Sequence, residues 1–305
     1  MASPGFNSPV FQQQDPRAVQ TYPGGPQAAG LGGPAQAGQY SHMGVNLASQ
    51  AQMEGAFAAP PAGATETGRM TVEDTIWKTV GLFAVMLVLA VVSWNWTLAP
   101  ALASGDPRDV TLVPWIVGLA GGFILGLVNS FKKNPSVPLI LAYAAFEGLF
   151  IGGISAYFEV LFPGIVMQAT LATVAVVGVT LALFASGKVR TSPRGRKIFM
   201  IAIIGYMVFS LLNLVLMWTG VLPGNMMFGL HSATIMGIPL GLVIGVLVVF
   251  LAAYSLVMDF EMVQNGVRNG APRKFGWRAA FAIMVTVVWL YVEILRIIAI
   301  LRGNN

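Results

Sequence analysis

The chain has 305 residues, of which 56% are hydrophobic and 10% charged, where soluble globular domains average roughly 45–50% and about 25%. With a mean hydropathy of +0.73, these figures exclude a soluble enzyme, a disordered protein and a disulfide scaffold, and leave a membrane protein with several spans. No cysteine is present, which excludes disulfides, a thiolate nucleophile and zinc–cysteine sites. The net charge of +5 resembles a nucleic-acid signal until the charges are placed. They fall between apolar runs and sort by sign from loop to loop, so no nucleic-acid partner is expected.

Residues 1–70 hold 11 Gly, 8 Pro and 9 Gln against five charged residues. A Pro-plus-Gly share above about a quarter, without a period, marks low complexity. Such a stretch buries too little apolar surface to offset its ordering entropy. It reads as a disordered tail, dispensable for folding, whose aromatics Phe6, Phe11, Tyr22, Tyr40 and Phe57 offer contacts to a membrane-protein partner. No charged n-region followed by an apolar stretch opens the chain. Ala101-Leu102-Ala103 resembles a cleavage site, but a leader that long is not a signal peptide, and the first apolar run reads as an uncleaved anchor.

From Thr71 onward the chain is a series of apolar runs: Ile76–Leu98, Leu112–Asn129, Val137–Phe158, Pro163–Phe184, Ile198–Trp218, Ala233–Met258 and Ala279–Leu301. Each approaches or exceeds the ~20 residues a helix needs to cross ~30 Å of hydrocarbon. Barrel strands would be about half that length and would alternate. The prediction is an all-α bundle of seven transmembrane helices over residues 71–305. Thr71-Val72-Glu73-Asp74 reads as an N-cap with acids in the first turn. Glycines at four-residue spacing (Gly118, Gly122 and Gly126; Gly148 and Gly152; Gly237, Gly241 and Gly245) predict seams where backbones approach closely.

Charge sets the expected orientation. Lys132 and Lys133, then Lys188, Arg190, Arg194, Arg196 and Lys197, then the four basic residues of 268–278 all fall on one side if every run spans. The opposite loops carry Asp106, Arg108, Asp109 and Glu159. The positive-inside rule puts the basic loops and the N-terminus in the cytoplasm and the C-terminus outside the cell membrane.

The candidate chemistry lies in ionisable groups inside the apolar runs. Glu147 is midway along the third, Asp259 and Glu261 close the sixth, and Glu293 lies within the seventh with Arg296 three residues on. An ionisable group at the bilayer centre costs about 2.5–3.5 kcal/mol on insertion scales and marks function by default. Blander readings stand beside each. Asp259 and Glu261 can be solvated interfacial charges. Glu293 and Arg296 can be an internal structural pair. Glu147 can be a protonated carboxyl that serves packing. For Asp259 to meet Glu293, the sixth helix must continue toward Gly266–Gly270, and Gly270-Ala271-Pro272 would then stop it.

Asn7-Ser-Pro-Val-Phe11, Met70-Thr-Val-Glu-Asp74, Tyr143-Ala-Ala-Phe-Glu-Gly148 and the acids of the last two runs resemble the bacterial branch of the Bax inhibitor-1, or transmembrane Bax inhibitor motif, family. The resemblance implies a seven-helix bundle with the last helix near the centre and a pH-dependent calcium leak. For some bacterial members it implies modulation of a membrane protease. It places the family's proton-sensing acid pair on Asp259 and Glu293, with calcium and protons as partners and no cofactor. Two departures stand out: Glu293 replaces the usual Asp, and the second run has no arginine to hold the pair, which leaves open whether Arg296 substitutes. Two carboxylates in one low-dielectric site cannot both ionise cheaply and titrate as a unit. They also supply the hard oxygens that suit calcium. Glu147, Arg296 and Glu261 are accessory candidates.

No enzyme is expected. An aspartyl intramembrane protease uses two Asp residues sharing a proton and a water; here the second acid is Glu, and Gly-x-Gly-Asp is absent. A serine protease lacks its membrane-embedded histidine, because His231 follows the fifth run. The alternative is a non-conducting regulator of another membrane protein, such as a membrane protease, contacting it through the tail.

Overall fold

The computed structural model describes residues 68–222, 226 and 228–303. The tail expected to be disordered, with its aromatics and the Asn7–Phe11 box, therefore lies outside the described residues, except for Gly68–Met70. Seven helices follow: α1 (Val72–Ser104), α2 (Val113–Phe131), α3 (Val137–Leu161), α4 (Ile165–Ala185), α5 (Pro193–Trp218), α6 (Leu240–Arg268) and α7 (Phe275–Gly303). All seven are long and apolar enough to cross a membrane. The described chain is an all-α bundle; between α5 and α6 it adds one 3-10 turn (Gly229–Ser232) and a hairpin of two-residue strands, β1 (Thr234–Ile235) with β2 (Ile238–Pro239).

Local chemistry fixes the helix ends. Thr71 caps α1, its side chain accepting from the Asp74 N–H at 3.0 Å, and Ser192 does the same for α5 from Gly195 at 3.0 Å. The sixth helix begins later than Ala233 because Ala233–Pro239 spends its apolar residues on the hairpin. Met236 and Gly237 turn there at φ 54° and 81°, so Gly237 is a turn residue and not the start of a helical stripe. At its other end α6 does run past Met258, to Arg268, and Gly270 at φ 63° closes it.

The last helix is the hub. Its spanning window is 50% buried, against 11% for α5. It contributes to all three apolar clusters: Phe281 and Met284 meet Leu82 of α1 and Tyr143 of α3; Leu290 and Leu295 meet Phe158, Ile165 and Ala252; Phe275 and Ala279 meet Val263 and Met70. Outward-facing side chains such as Phe131, Leu102 and Trp218 are apolar and exposed, as a lipid-facing surface requires.

Lipid supplies no hydrophobic force between helices, so close backbone packing has to replace it. Gly148 and Gly152 of α3 sit against the backbone of Met86 and Ala90 of α1, and Gly118 of α2 sits against the backbone of Phe150. The expected seams therefore lie within one bundle.

Gly68–Met70 pack, although the expected boundary put them in the tail. The Met70 N–H donates to the Ala271 carbonyl at 2.7 Å and the Arg273 N–H to the Gly68 carbonyl at 2.8 Å. Met70 is 1% exposed. The short strand-like contact of Arg69 with Pro272 clips the start of α1 to the turn before α7. Asp74 completes the clip by accepting from Arg273 Nε at 3.0 Å and Nη2 at 2.8 Å, beside Lys78.

Candidate functional site

The four candidate carboxylates, Asp259, Glu293, Glu147 and Glu261, have four separate sets of neighbours. Asp259 of α6 is fully buried, and its Oδ2 accepts from the Thr286 hydroxyl of α7 at 2.6 Å. Thr286 is itself 3% exposed. This contact exists because α6 continues as helix past Met258 and lies along α7.

Glu293 is 3% exposed and has different partners. Its Oε1 forms an ion pair with Arg296 Nη2, one turn on in the same helix. Its Oε2 accepts from the Tyr206 hydroxyl of α5 at 3.1 Å, and Arg296 Nη1 donates to that same hydroxyl at 3.2 Å. The result is a closed triangle of carboxylate, guanidinium and phenol joining α5 to α7. Thr286 precedes Glu293 by two turns, about 10 Å along the axis. The structure thus places Asp259 and Glu293 at two levels of α7, in two hydrogen-bonded groups. Arg296 holds Glu293 and does not bridge to Asp259.

Gly245 of α6 makes room for Ile297 of α7, whose Cγ1 a Cβ there would strike, while Glu293 Oε1 lies beside it at ordinary contact, 3.5 Å. One turn earlier, a Cβ at Gly241 would meet the His231 carbonyl at 2.8 Å. Gly241 and Gly245, about 6 Å apart along α6, thus face the His231 backbone and the Ile297 and Glu293 side chains in turn.

Of the accessory candidates, Arg296 is at the Glu293 site and the other two lie elsewhere. Glu147 of α3 borders a cavity of about 280 Å³ lined by Gly122, Gly126, Tyr143 and Phe281. Its Oε2 is buried without a hydrogen-bond partner among the described residues. Glu261 accepts from the Thr191 N–H at 2.6 Å, from the Thr191 hydroxyl and from Arg196 at 2.9 Å. It anchors the α4–α5 loop to the end of α6.

Several polar groups at these sites carry no charge, or sit outside the runs, and so lacked the charge signal that marked the acids. Tyr206 and Asn213 are single polar residues in the fifth run, and Thr286 is one in the seventh. Their spacing in α5 was the available clue: Tyr206, Ser210 and Asn213 recur at helical intervals on the half-buried face. Arg278, 5% exposed, donates to the carbonyls of Lys133 at 3.1 Å and of Lys132. It occupies the C-terminal end of α2, where cations are favoured. Position at the end of a basic loop hid it.

A buried acid on each of the last two helices, a central α7 and seven apolar spans agree with one comparison. Residues 7–303 match the Bax inhibitor 1 like family. The chain belongs to that family. No curated protein and no solved structure matches it. The match covers nearly the whole chain, including the N-terminal box and both acidic helices. It identifies a multi-pass membrane protein of the Bax inhibitor 1 like type.

Proposed function

We propose that this Bax inhibitor 1 like protein is a pH-sensitive leak for calcium across the cell membrane, gated by Asp259 and Glu293, with its N-terminus in the cytoplasm and its C-terminus outside. The observation that carries the reading is the burial of both carboxylates, 0% and 3% exposed, against the hub helix of a membrane bundle. Hard carboxylate oxygens suit calcium, which takes 6–8 oxygen ligands. Among the described residues no group of three or more ligating side chains is assembled. Each acid therefore acts as a passing station for the ion, at two levels of α7.

Protons enter at the same groups. The ionised Glu293 joins α7 to α5 through Arg296 and Tyr206. Its protonation removes the ion pair and weakens that tie. Helix α5 is the least buried of the seven, so it is the element least restrained by packing and free to move when the tie loosens.

Purified protein in liposomes loaded with a calcium indicator tests this. Calcium flux should depend on pH, and Asp259→Asn and Glu293→Gln should each move the midpoint of the curve. The double variant should be flat across the same window. An unchanged curve in both single variants, with the response abolished by Glu147→Gln alone, would place the sensor on α3 and overturn the assignment. Flux that appears only with another membrane protein present would make the chain a regulator.

A further inference from the structure

Helices α2, α3 and α7 border a cavity near the middle of the α2 and α3 spans, where Gly122 and Glu147 lie. Its volume is about 280 Å³, and a cavity of about 150 Å³ already accommodates benzene. Glycine makes part of the space. A Cβ at Gly122 would lie 3.3 Å from Glu147 Oε1, and one at Gly126 would lie 3.3 Å from the Tyr143 ring. Four aromatic rings line the cavity, those of Phe123, Tyr143, Phe150 and Phe281. Phe123 is 66% exposed, on a helix surface that faces lipid. The way in is therefore through hydrocarbon and not from water.

One group is out of keeping with these walls. Glu147 Oε2 is buried without a hydrogen-bond partner among the described residues. No counter-charge faces it. Helix α2 has no ionisable side chain from Val113 to Phe131. From α3 comes the Tyr143 phenol, and from α7 come Phe281 and Val285. Arg278, one turn before Phe281 in α7, spends its guanidinium on the carbonyls of Lys132 and Lys133 at the end of α2. The Ser130 hydroxyl, which also borders the cavity, donates to the Gly126 carbonyl at 2.7 Å.

A buried carboxylate without a counter-ion costs far more than the neutral acid. The empty cavity therefore holds a neutral carboxyl, and at Oε2 its proton has no protein acceptor. An unmade hydrogen bond of a buried donor is also costly and calls for a ligand that accepts. The ligand has to be soluble in hydrocarbon, to carry one strong acceptor, and to fill an aromatic-walled space with an apolar body.

We propose that the cavity between α2 and α3 is a binding site for a lipid-soluble primary amine, with Glu147 as its anchor. The amine enters from the bilayer as the neutral base. Its nitrogen lone pair takes the carboxyl proton: the O–H bond breaks, an N–H bond forms, and an ammonium–carboxylate pair remains. The site gains no net charge, so neither the empty nor the filled cavity holds an unpaired ion. The ammonium donates to Oε2, and the faces of the aromatic walls stabilise it further. The apolar body restores contacts that the void lacks. An alcohol of the same shape fills the void but forms no ion pair. A permanently charged ammonium has no lone pair to take the proton. The amine of a lipid headgroup is held at the interface, about 15 Å from the midplane. Asp259 and Glu293 take no part, so the assignment is independent of the calcium leak.

The test is equilibrium binding of radiolabelled cyclohexylamine to the full chain in phosphatidylcholine nanodiscs, with empty nanodiscs subtracted. The wild type should bind the amine saturably, at one site per chain. Unlabelled cyclohexanol and cyclohexyltrimethylammonium should each displace it about tenfold more weakly, or worse, than unlabelled cyclohexylamine. These comparisons use the wild type alone, so they stand whatever a substitution does to folding. Glu147→Gln keeps the shape and has no acidic proton to give, and should weaken binding by about tenfold or more. Glu147→Asp keeps the acid but draws it back by one methylene, and should fall between the two. Absence of saturable binding would overturn the proposal. So would displacement by cyclohexanol as readily as by the amine, which would make the cavity an apolar void, or undiminished binding in Glu147→Gln. Displacement by phosphatidylethanolamine added to the nanodisc would make a lipid headgroup the ligand and overturn the assignment to a free amine.

Discussion

Burial and the nearby Arg296 charge lower the His231 pKa from 6.5 to about 4, and this has a consequence for stability. The folded pKa lies below the unfolded one, so the unfolded chain binds the proton more readily between those values. The stabilising contribution is complete above about pH 6.5 and is lost as pH falls toward 4. At roughly 1.4 kcal/mol per unit the loss is on the order of 1–3 kcal/mol. His231→Gln keeps an acceptor for Asn213 and has no proton to gain. Its melting temperature, subtracted from that of the wild type at each pH from 7.5 to 4.5, should show the wild type losing stability relative to the variant below pH 6.5. A constant difference would show that the ring carries none of the acid sensitivity. The same residue shows how a site hides in a sequence. His231 was read only as a loop residue outside any span, because nothing local announces that Asn213, 18 positions earlier, is folded against it. The ionisable residues were legible for the opposite reason: a charge in an apolar run is expensive, so its presence is information. A tyrosine or threonine there costs little, and Tyr206 and Thr286 carried no such signal.

At the scale of the element, spanning length and apolar composition located all seven helices, because a bilayer imposes a length that chance rarely matches. Boundaries were less legible. Apolar content alone extended the sixth run into Ala233–Pro239, where Gly237 and Pro239 favour a hairpin that hydropathy does not register. It stopped that run at Met258, although helix continues to Arg268. The continuation is what brings Asp259 to Thr286. Glycine spacing predicted the seams correctly in α2 and α3, since small residues are required wherever backbones touch. This gives a paired test. A Cβ at Gly152 would run into the Ala90 backbone, whereas one at Gly178 meets nothing within 4 Å. Gly152→Ala should destabilise by about 1–3 kcal/mol, since neither backbone can yield cheaply. Gly178→Ala should be neutral or gain up to about 1 kcal/mol from the lost flexibility of glycine. Thermal melts of the two variants in one detergent check the pair; equal losses would mean that the α1–α3 seam is not as close as described.

For the molecule as a whole, the clip at residues 68–70 corrects where the folded unit begins. A chain starting at Gly68 should melt like one carrying the whole tail. A chain starting at Thr71 loses the buried Met70 and the Arg69–Pro272 contact, and should lose about 1–3 kcal/mol. Identical melting of the two shortened chains would show that the clip does not hold the bundle.

Orientation is the property of the whole molecule that charge predicts most directly. The basic loops cluster at one end: Lys274 reaches Asn134 at 3.0 Å, Arg278 reaches the Lys133 carbonyl, and Glu261 gathers Thr191 and Arg196. The other end carries Asp106, Asp109 and Glu159, with the Arg302 guanidinium turned back to the Pro163 carbonyl at 2.7 Å. Seven spans put the two chain ends on opposite sides, so a single labelled loop at each end fixes the topology. Because the chain has no cysteine, one introduced thiol has no background. Arg194 and Asp106 are both exposed, and neither contributes to the buried network. In intact cells an impermeant maleimide should label Asp106→Cys and leave Arg194→Cys untouched, and in inverted vesicles the pattern should reverse. Labelling of Arg194→Cys in intact cells, with Asp106→Cys protected, would put the basic end outside. The α5–α6 connection that carries His231 would then face the cytoplasm, and any proton that reaches Glu293 from that end would report cytoplasmic rather than external pH.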